Sequence, residues 1–146
     1  MALTRAEVES ILVRRCRGWM TVASLAITYA GVNADLNDPI SSGLLASGYS
    51  VTNYAVVSTT DLAQVTNDYL PLFLDHCELR LLNNIASNID VVDVTLGPDQ
   101  EKLGQFHNAI RSAISAKIDY MSKMYGIVQG KLEAGYIEIG SVQESG

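Results

Sequence analysis

The stretch from Asp68 to Asn88 constrains this chain most, because it carries two apolar stripes at once. Leu70, Phe73, Leu74, Cys77, Leu81 and Ile85 recur with the helical period, and Leu72, Leu79, Leu82 and Ala86 form a second row. A helix apolar on one side rests on a core, whereas one apolar on two sides is enclosed by neighbours. The rest of the chain is therefore expected to enclose it on most sides. Pro71 is tolerable in the opening turn, where its missing N–H has no helical partner. A second long helix is expected from Gly97-Pro98 to near Gly126, with a stripe of Leu103, Phe106, Ile110, Ala113, Ile114, Met121 and Met124 or Tyr125. Asp99 and Glu101 fall in its first turn, where the helix dipole favours acids. Between the two, "NIDVVDVTLG" alternates apolar and polar letters and is expected to be a short strand or extended connector.

The first half holds shorter pieces. Thr4 and Glu7 have capping-box spacing and predict a helix from about Arg5 to Arg17, with Val8, Ile11, Leu12 and the stem of Arg15 on one face. Residues 18–34 have room for a short helix stopped at Gly31. Asp38-Pro39 has the form of an N-cap acid followed by proline at the first helical position, opening a helix that ends near Gly48. "SVTNYAVV" follows as a loop, and Thr60-Asp61-Leu62 opens one more helical turn. Trp19, just past the first helix, is either an interface anchor or a satellite of the core.

Those elements define an all-α domain, a small helical bundle with two long antiparallel helices over residues 1–125. A chain of 146 residues is large enough for one well-buried core. Only 18% of the residues are charged, against about 25% in an average soluble domain, so some of the surface is expected to meet protein. Self-association is the first inference. The formal charge of −6 argues against sequence-independent binding of nucleic acid, which depends on Lys and Arg displacing counterions.

"LDHCELR", Leu74 to Arg80, lines up an acid, an imidazole, a thiol and a second acid. On a helix adjacent residues point about 100° apart, so His76, Cys77 and Glu78 do not face one another. Cys77 belongs to the apolar stripe, and a catalytic dyad would need His107 or a neighbouring subunit. With Cys16 and Cys77 the only cysteines and His76 and His107 the only histidines, no zinc-ligand spacing can be assembled; no cofactor, metal or enzymatic activity is expected. Free thiols suit a reducing cytoplasm. "GLLASGYS", Gly43 to Ser50, has P-loop spacing but places Tyr49 where the phosphate-binding Lys belongs, and Gly48 is better read as a helix C-cap. Asp90, Asp93 and Asp99 lack calcium-loop spacing. Arg111, Lys117 and Lys123 are expected on a solvated face. The uncharged run 18–34 after Arg14, Arg15 and Arg17 is diluted by Thr21, Ser24, Thr28 and Gly31 and falls short of the roughly 20 apolar residues of a span, so no signal or membrane anchor is expected.

Residues 126–146 form a separate tail. Gly126, Gly130, Gly135 and Gly140 disfavour a helix, yet Tyr136, Ile137, Ile139 and Val142 are not the composition of a disordered end. In "YIEIGSV" Ile137 and Ile139 share one side of an extended chain. The expected role is to add a strand to a partner, with Tyr136, Ile137 and Ile139 as anchors; a tail folded back on its own subunit is the alternative.

One block goes further. "DLAQV" and "ELRLLNNIASNIDVVDVTLGPDQEKLGQ", with Glu78-Leu79-Arg80, the Asn88–Asp93 connector, Gly97-Pro98 and Glu101-Lys102-Leu103, resemble the head-to-tail adaptor, or head-completion, proteins of tailed bacteriophages. The resemblance covers about residues 38–125 in element order and 61–105 residue by residue. It implies a non-enzymatic virion protein, assembled in the host cytoplasm, that forms a ring, usually of twelve copies, in the neck between capsid and tail. Its partners would be the portal and a further neck or tail protein, and genome DNA would pass through without sequence-specific binding. No membrane is involved. The other classes left open are a small helical host protein such as an assembly chaperone and a non-catalytic DNA-binding regulator.

Overall fold

Thr4 opens the first helix, its Oγ1 accepting from Glu7 N at 3.2 Å while Glu7 Oε1 accepts from Thr4 N at 2.9 Å. The computed structural model describes residues 3–23, 33–95, 100–127 and 132, with side chains for all but 89–95 and 100–104. Five α-helices occupy the described residues, and no strand is found among them. They are α1 Arg5–Val22, α2 Asn37–Ala46, α3 Thr59–Leu62, α4 Leu70–Thr95 and α5 Gln100–Tyr125. The fold is therefore all-α, as expected.

Helix α1 continues past Arg17 because the row Val8, Leu12, Cys16 and Met20, spaced four apart and buried throughout, carries the core through Gly18. A Cβ on Gly18 would meet nothing within 4 Å, so this glycine sits on the open side of the turn. The expected helix end at Gly31 lies outside the described residues. Helix α2 does not use Asp38 as its N-cap. A 3-10 turn, Ala34–Leu36, capped by the Asn33 side chain, leads into it, which places Asp38 inside the first turn. Its end is a Schellman closure around Gly48, whose φ is +92°. Tyr49 N donates to Leu44 O at 2.9 Å and Gly48 N to Leu45 O at 3.1 Å.

Helix α4 corrects the connector expected from "NIDVVDVTLG". The helix runs on to Thr95, 26 residues and about 39 Å in all. Ile85, Ile89 and Val92 also recur at helical spacing, and extending a formed helix adds one hydrogen bond per residue fixed. The Gly97-Pro98 junction lies outside the described residues; α5 is established from Gln100 and closes at Gly126, whose φ is +69°.

The two long helices pack antiparallel, since Asp75 near the start of α4 meets Lys117 and Tyr125 near the end of α5. On α4, Phe73, Cys77, Arg80 and Asn84 lie within roughly 60° and face α2, whereas Asp75, Glu78 and Leu82 lie roughly 180° round and face α5 and α1. Helix α4 is thus the middle layer of the molecule, as its two stripes require. Leu81, Ile85 and Ile110 are fully buried at the centre. On α5 the buried face is Ile110, Ile114, Ile118 and Met121. Phe106 and Met124, expected in that stripe, are 40% and 58% exposed, because they sit roughly 90° round the helix from it. Tyr125 is the half-buried partner instead.

Candidate functional site

The letters of "LDHCELR" separate onto different faces. Cys77 faces α2 against Gly43. Burial holds its thiol well above the ordinary range, so it packs as a small apolar group. His76 is buried, and desolvation, opposed only in part by the charge of Asp75, pushes its pKa down to about 4. His107 accepts a hydrogen bond from Arg111 Nε at 3.2 Å, one turn along its own helix. Among the described residues no three His, Cys, Asp or Glu side chains converge as a metal site.

Asp75 and Glu78, three residues apart on one face of α4, do converge. Lys117 Nζ of α5 donates to Asp75 Oδ1 at 2.6 Å and to Glu78 Oε1 at 3.1 Å. Arg15 Nη1 of α1 donates to the same two oxygens at 3.2 and 2.8 Å. Tyr125 Oη completes the set with a 2.5 Å bond to Asp75 Oδ2. Burial alone would raise the pKa of Asp75, but hydrogen bonds from Lys117 and Tyr125 and the two cations outweigh it and hold the carboxyl below its ordinary value. The pKa of Tyr125 is raised, first by burial and then by its bond to the carboxylate. Lys117 therefore does not lie on a solvated face; its side chain is 15% exposed and neutralises α4. Lys123, by contrast, is exposed and pairs with Asp119 one turn back on its own helix.

A second polar cluster holds the other flank. Arg80 Nε donates to Asp38 Oδ2 at 2.8 Å, and Asn84 Nδ2 donates to the same oxygen at 2.8 Å. Tyr54 Oη donates to Asp38 Oδ1 at 2.5 Å. Here too the donors overcome burial and keep Asp38 below the ordinary carboxylate range. The third cluster was not singled out in the sequence. Arg5, 7% exposed, donates to Glu9 Oε2 at 2.7 Å, Asn37 Oδ1 at 2.6 Å, Asn33 O at 2.8 Å and Val57 O at 3.0 Å. The signal available was the pair itself, Arg5 and Glu9 at i and i+4. What it could not reveal is that the pair is buried under the loop that follows α2.

Beside the first of these clusters the surface carries a largely apolar groove. A groove of about 440 Å³ runs between α1 and α5 over α4. Trp19, Leu82, Ala113, Ala116 and Tyr120 line it together with the charged Arg15, Glu78 and Lys117. Trp19 stands edge-on to Phe106 with ring centroids 6.4 Å apart. Lys117 Nζ lies 5.5 Å from the centre of the Tyr120 ring, within cation–π range. Phe106, Tyr120 and Met124 are all exposed and lie within about 40° on α5, an apolar row that meets the groove at Tyr120.

Comparison with protein-family models, curated proteins and solved structures finds no match. The geometry above is accordingly the ground for any functional reading.

The expected tail anchors Tyr136, Ile137 and Ile139 lie outside the described residues. One residue of that region is described. Leu132 is 2% exposed and joins the core, and Ile127 packs half-buried against it. The tail set apart at residue 126 therefore contributes to the domain's own core at least at Leu132. No described helix is long and apolar enough to cross a membrane.

Proposed function

We propose that this chain is a structural subunit of a phage neck, an adaptor that forms a homo-oligomeric ring between portal and tail. The observation carrying the reading is the part played by Glu78-Leu79-Arg80, the triplet at the heart of the resemblance. Leu79 is fully buried, Glu78 ties α4 to α1 and α5, and Arg80 ties it to α2. The motif is thus a scaffold junction, and scaffold is what a ring subunit must supply. Apolar side chains exposed on both flanks, Val56 and Leu45 on the α2 side and Phe106, Tyr120 and Met124 on α5, also fit a subunit with neighbours on each side.

In this reading the tail beyond Leu132 docks on the portal through Tyr136, Ile137 and Ile139, and the channel conducts genome DNA without holding it. The decisive experiment is imaging of purified particles for a ring of this chain between capsid vertex and tail. A chain that never accompanies particles and sediments as a monomer at every concentration would instead be a small host protein. Truncation after Leu132 separates the tail's role from the ring's. The shortened chain is expected to keep its helical content and to fail to join portal-containing heads; normal joining would remove the docking role.

A further inference from the structure

We propose that the α1–α5 groove of one copy receives the tip of the loop after α2, residues 54–56, from a second copy. This deepens the ring reading, on which it rests for its occupant.

The first ground is the tip itself. Loop tips are ordinarily polar, yet this one presents Val56, 62% exposed, beside exposed Ala55 and Tyr54. It is also fastened on every side. Ala55 N donates to Asn53 Oδ1 at 3.1 Å and Val56 N to Asn53 O at 3.2 Å, which makes the turn. Ser41 Oγ donates to Tyr54 O at 2.9 Å, and Asp38 holds the Tyr54 hydroxyl. Behind the tip, Val57 N donates to Asn37 Oδ1 at 3.2 Å and Val57 O accepts from buried Arg5. A rigid apolar knob loses little entropy on docking, the condition under which a small contact gains affinity.

The second ground is placement. The knob is bonded to α2, and the groove lies across α5 and α1, so the two occupy opposite flanks of α4. A knob and a socket on opposite flanks cannot meet within one molecule. They join copies head to tail, the heterologous contact that makes a ring where the rotation between copies closes and a filament where it does not.

The third ground is charge. Residues 33–69, which contain the knob, carry four acids, Asp35, Asp38, Asp61 and Asp68, and no Lys or Arg. On the socket helices Arg15 and Lys117 are offset by Asp75 and Glu78, and Arg5 pairs with Glu9 on the knob's side, which leaves Arg14, Arg17, Arg111 and Lys123 against Glu7 and Asp119. Opposite signs on the two flanks favour knob against socket and disfavour knob against knob. The small side chains of Ala113 and Ala116 in the lining, and the groove's volume of about 440 Å³, suit an apolar side chain.

The test uses the full-length chain with Val56→Asp, which spoils the knob, and Ala116→Trp, which fills the socket at an exposed position. Both variants are expected to keep wild-type circular dichroism and to weaken self-association in sedimentation at least roughly tenfold. Mixing them is the sharper measurement. Each variant retains the half that the other lacks, so the mixture is expected to form a one-to-one dimer that grows no further. A wild-type chain that self-associates equally well with either substitution, or a mixture that stays monomeric, overturns this pairing of faces and leaves the ring standing. A wild-type chain that stays monomeric in solution and is missing from particles overturns both.

Discussion

The close approach of α2 to α4 at Gly43 makes the most exacting prediction. Gly43 of α2 lies against Cys77 of α4, and a Cβ placed on it would fall inside the Cys77 Sγ, 3.2 Å from Cys77 N and 3.3 Å from Phe73 O. Gly43→Ala should therefore overpack a buried contact, at about 1–3 kcal/mol, while regaining about 1 kcal/mol of helix propensity. An overlap that close with the Cys77 Sγ puts the overpacking in the upper part of that range, so the net is a loss of roughly 1–2 kcal/mol. Cys77 has few ways to yield, since helix geometry excludes one χ1 well and the side chain is fully buried. Cys77→Ala alone removes the sulfur and should cost about 1–3 kcal/mol through the cavity it leaves. In the double variant the new methyl occupies the space that the sulfur vacates. The two losses should then fail to add, with a favourable coupling of at least about 1 kcal/mol. Urea unfolding of the four proteins, followed by far-ultraviolet circular dichroism, measures the cycle; unchanged m-values would confirm that the native state alone is affected. Additive losses, or a neutral Gly43→Ala, would refute the reasoning, because either means the sulfur swings aside freely.

Leu81→Asp or Ile110→Asp, each burying a charge at a fully enclosed position, should abolish soluble expression; recovery of either as a helical, soluble protein would misplace the core. Lys117→Met leaves Arg15 as the one cation the structure shows on Asp75 and Glu78, with Tyr125 still bonded to Asp75, and should lower stability at pH 7 by about 1–3 kcal/mol. Because Asp75 titrates below its ordinary 3.8 when folded, the stability it contributes is present above that pH and lost as the pH falls through the folded value. The gap between wild type and Lys117→Met should accordingly narrow in urea unfolding at pH 3 and stay wide at pH 5. His76, depressed from 6.5 to about 4, binds a proton more readily unfolded than folded. Stability should be full above pH 6.5 and fall by at most about 3 kcal/mol down to pH 4; His76→Gln should remove that slope, and a slope that persists assigns it elsewhere.

What the sequence made legible was whatever depends on neighbours along the chain. The Thr4–Glu7 box, the Gly48 closure and the doubled stripe of α4 rest on spacings of three and four residues, and all appear in the fold. The region after Asn88 misled because β-branched residues serve a strand and a helix end alike, and only continuation from α4 decides between them. Lys117 misled for a different cause. A charged letter on an amphipathic helix is normally solvated, and nothing local announces an acid 42 residues away on another helix. Gly43 was noticed as half of a failed phosphate loop, whereas its use is to let two backbones approach. The groove and the knob were not legible at all, since each is assembled from segments far apart in sequence.

The polar clusters explain how a core of nearly interchangeable aliphatic side chains settles on one register. Burial of Leu, Ile and Met is non-directional, so sliding α5 along α4 by one turn, about 5.4 Å, would preserve much of the apolar contact. The same slide would carry Lys117 out of bonding range of Asp75 and Glu78, which it now meets at 2.6 and 3.1 Å. On the opposite flank, Arg80 and Asn84 do for α2 what Glu78 and Asp75 do for α5. Charges this deeply placed give little net stability against an apolar replacement, but breaking one pair leaves its partner stranded. Their effect is therefore on which arrangement wins more than on how strongly it wins. Glu78, Leu79 and Arg80 show the economy of the device: consecutive residues about 100° apart send one side chain to each flank and one to the centre. Three adjacent letters on the middle helix fix the alignment of the helices on either side of it.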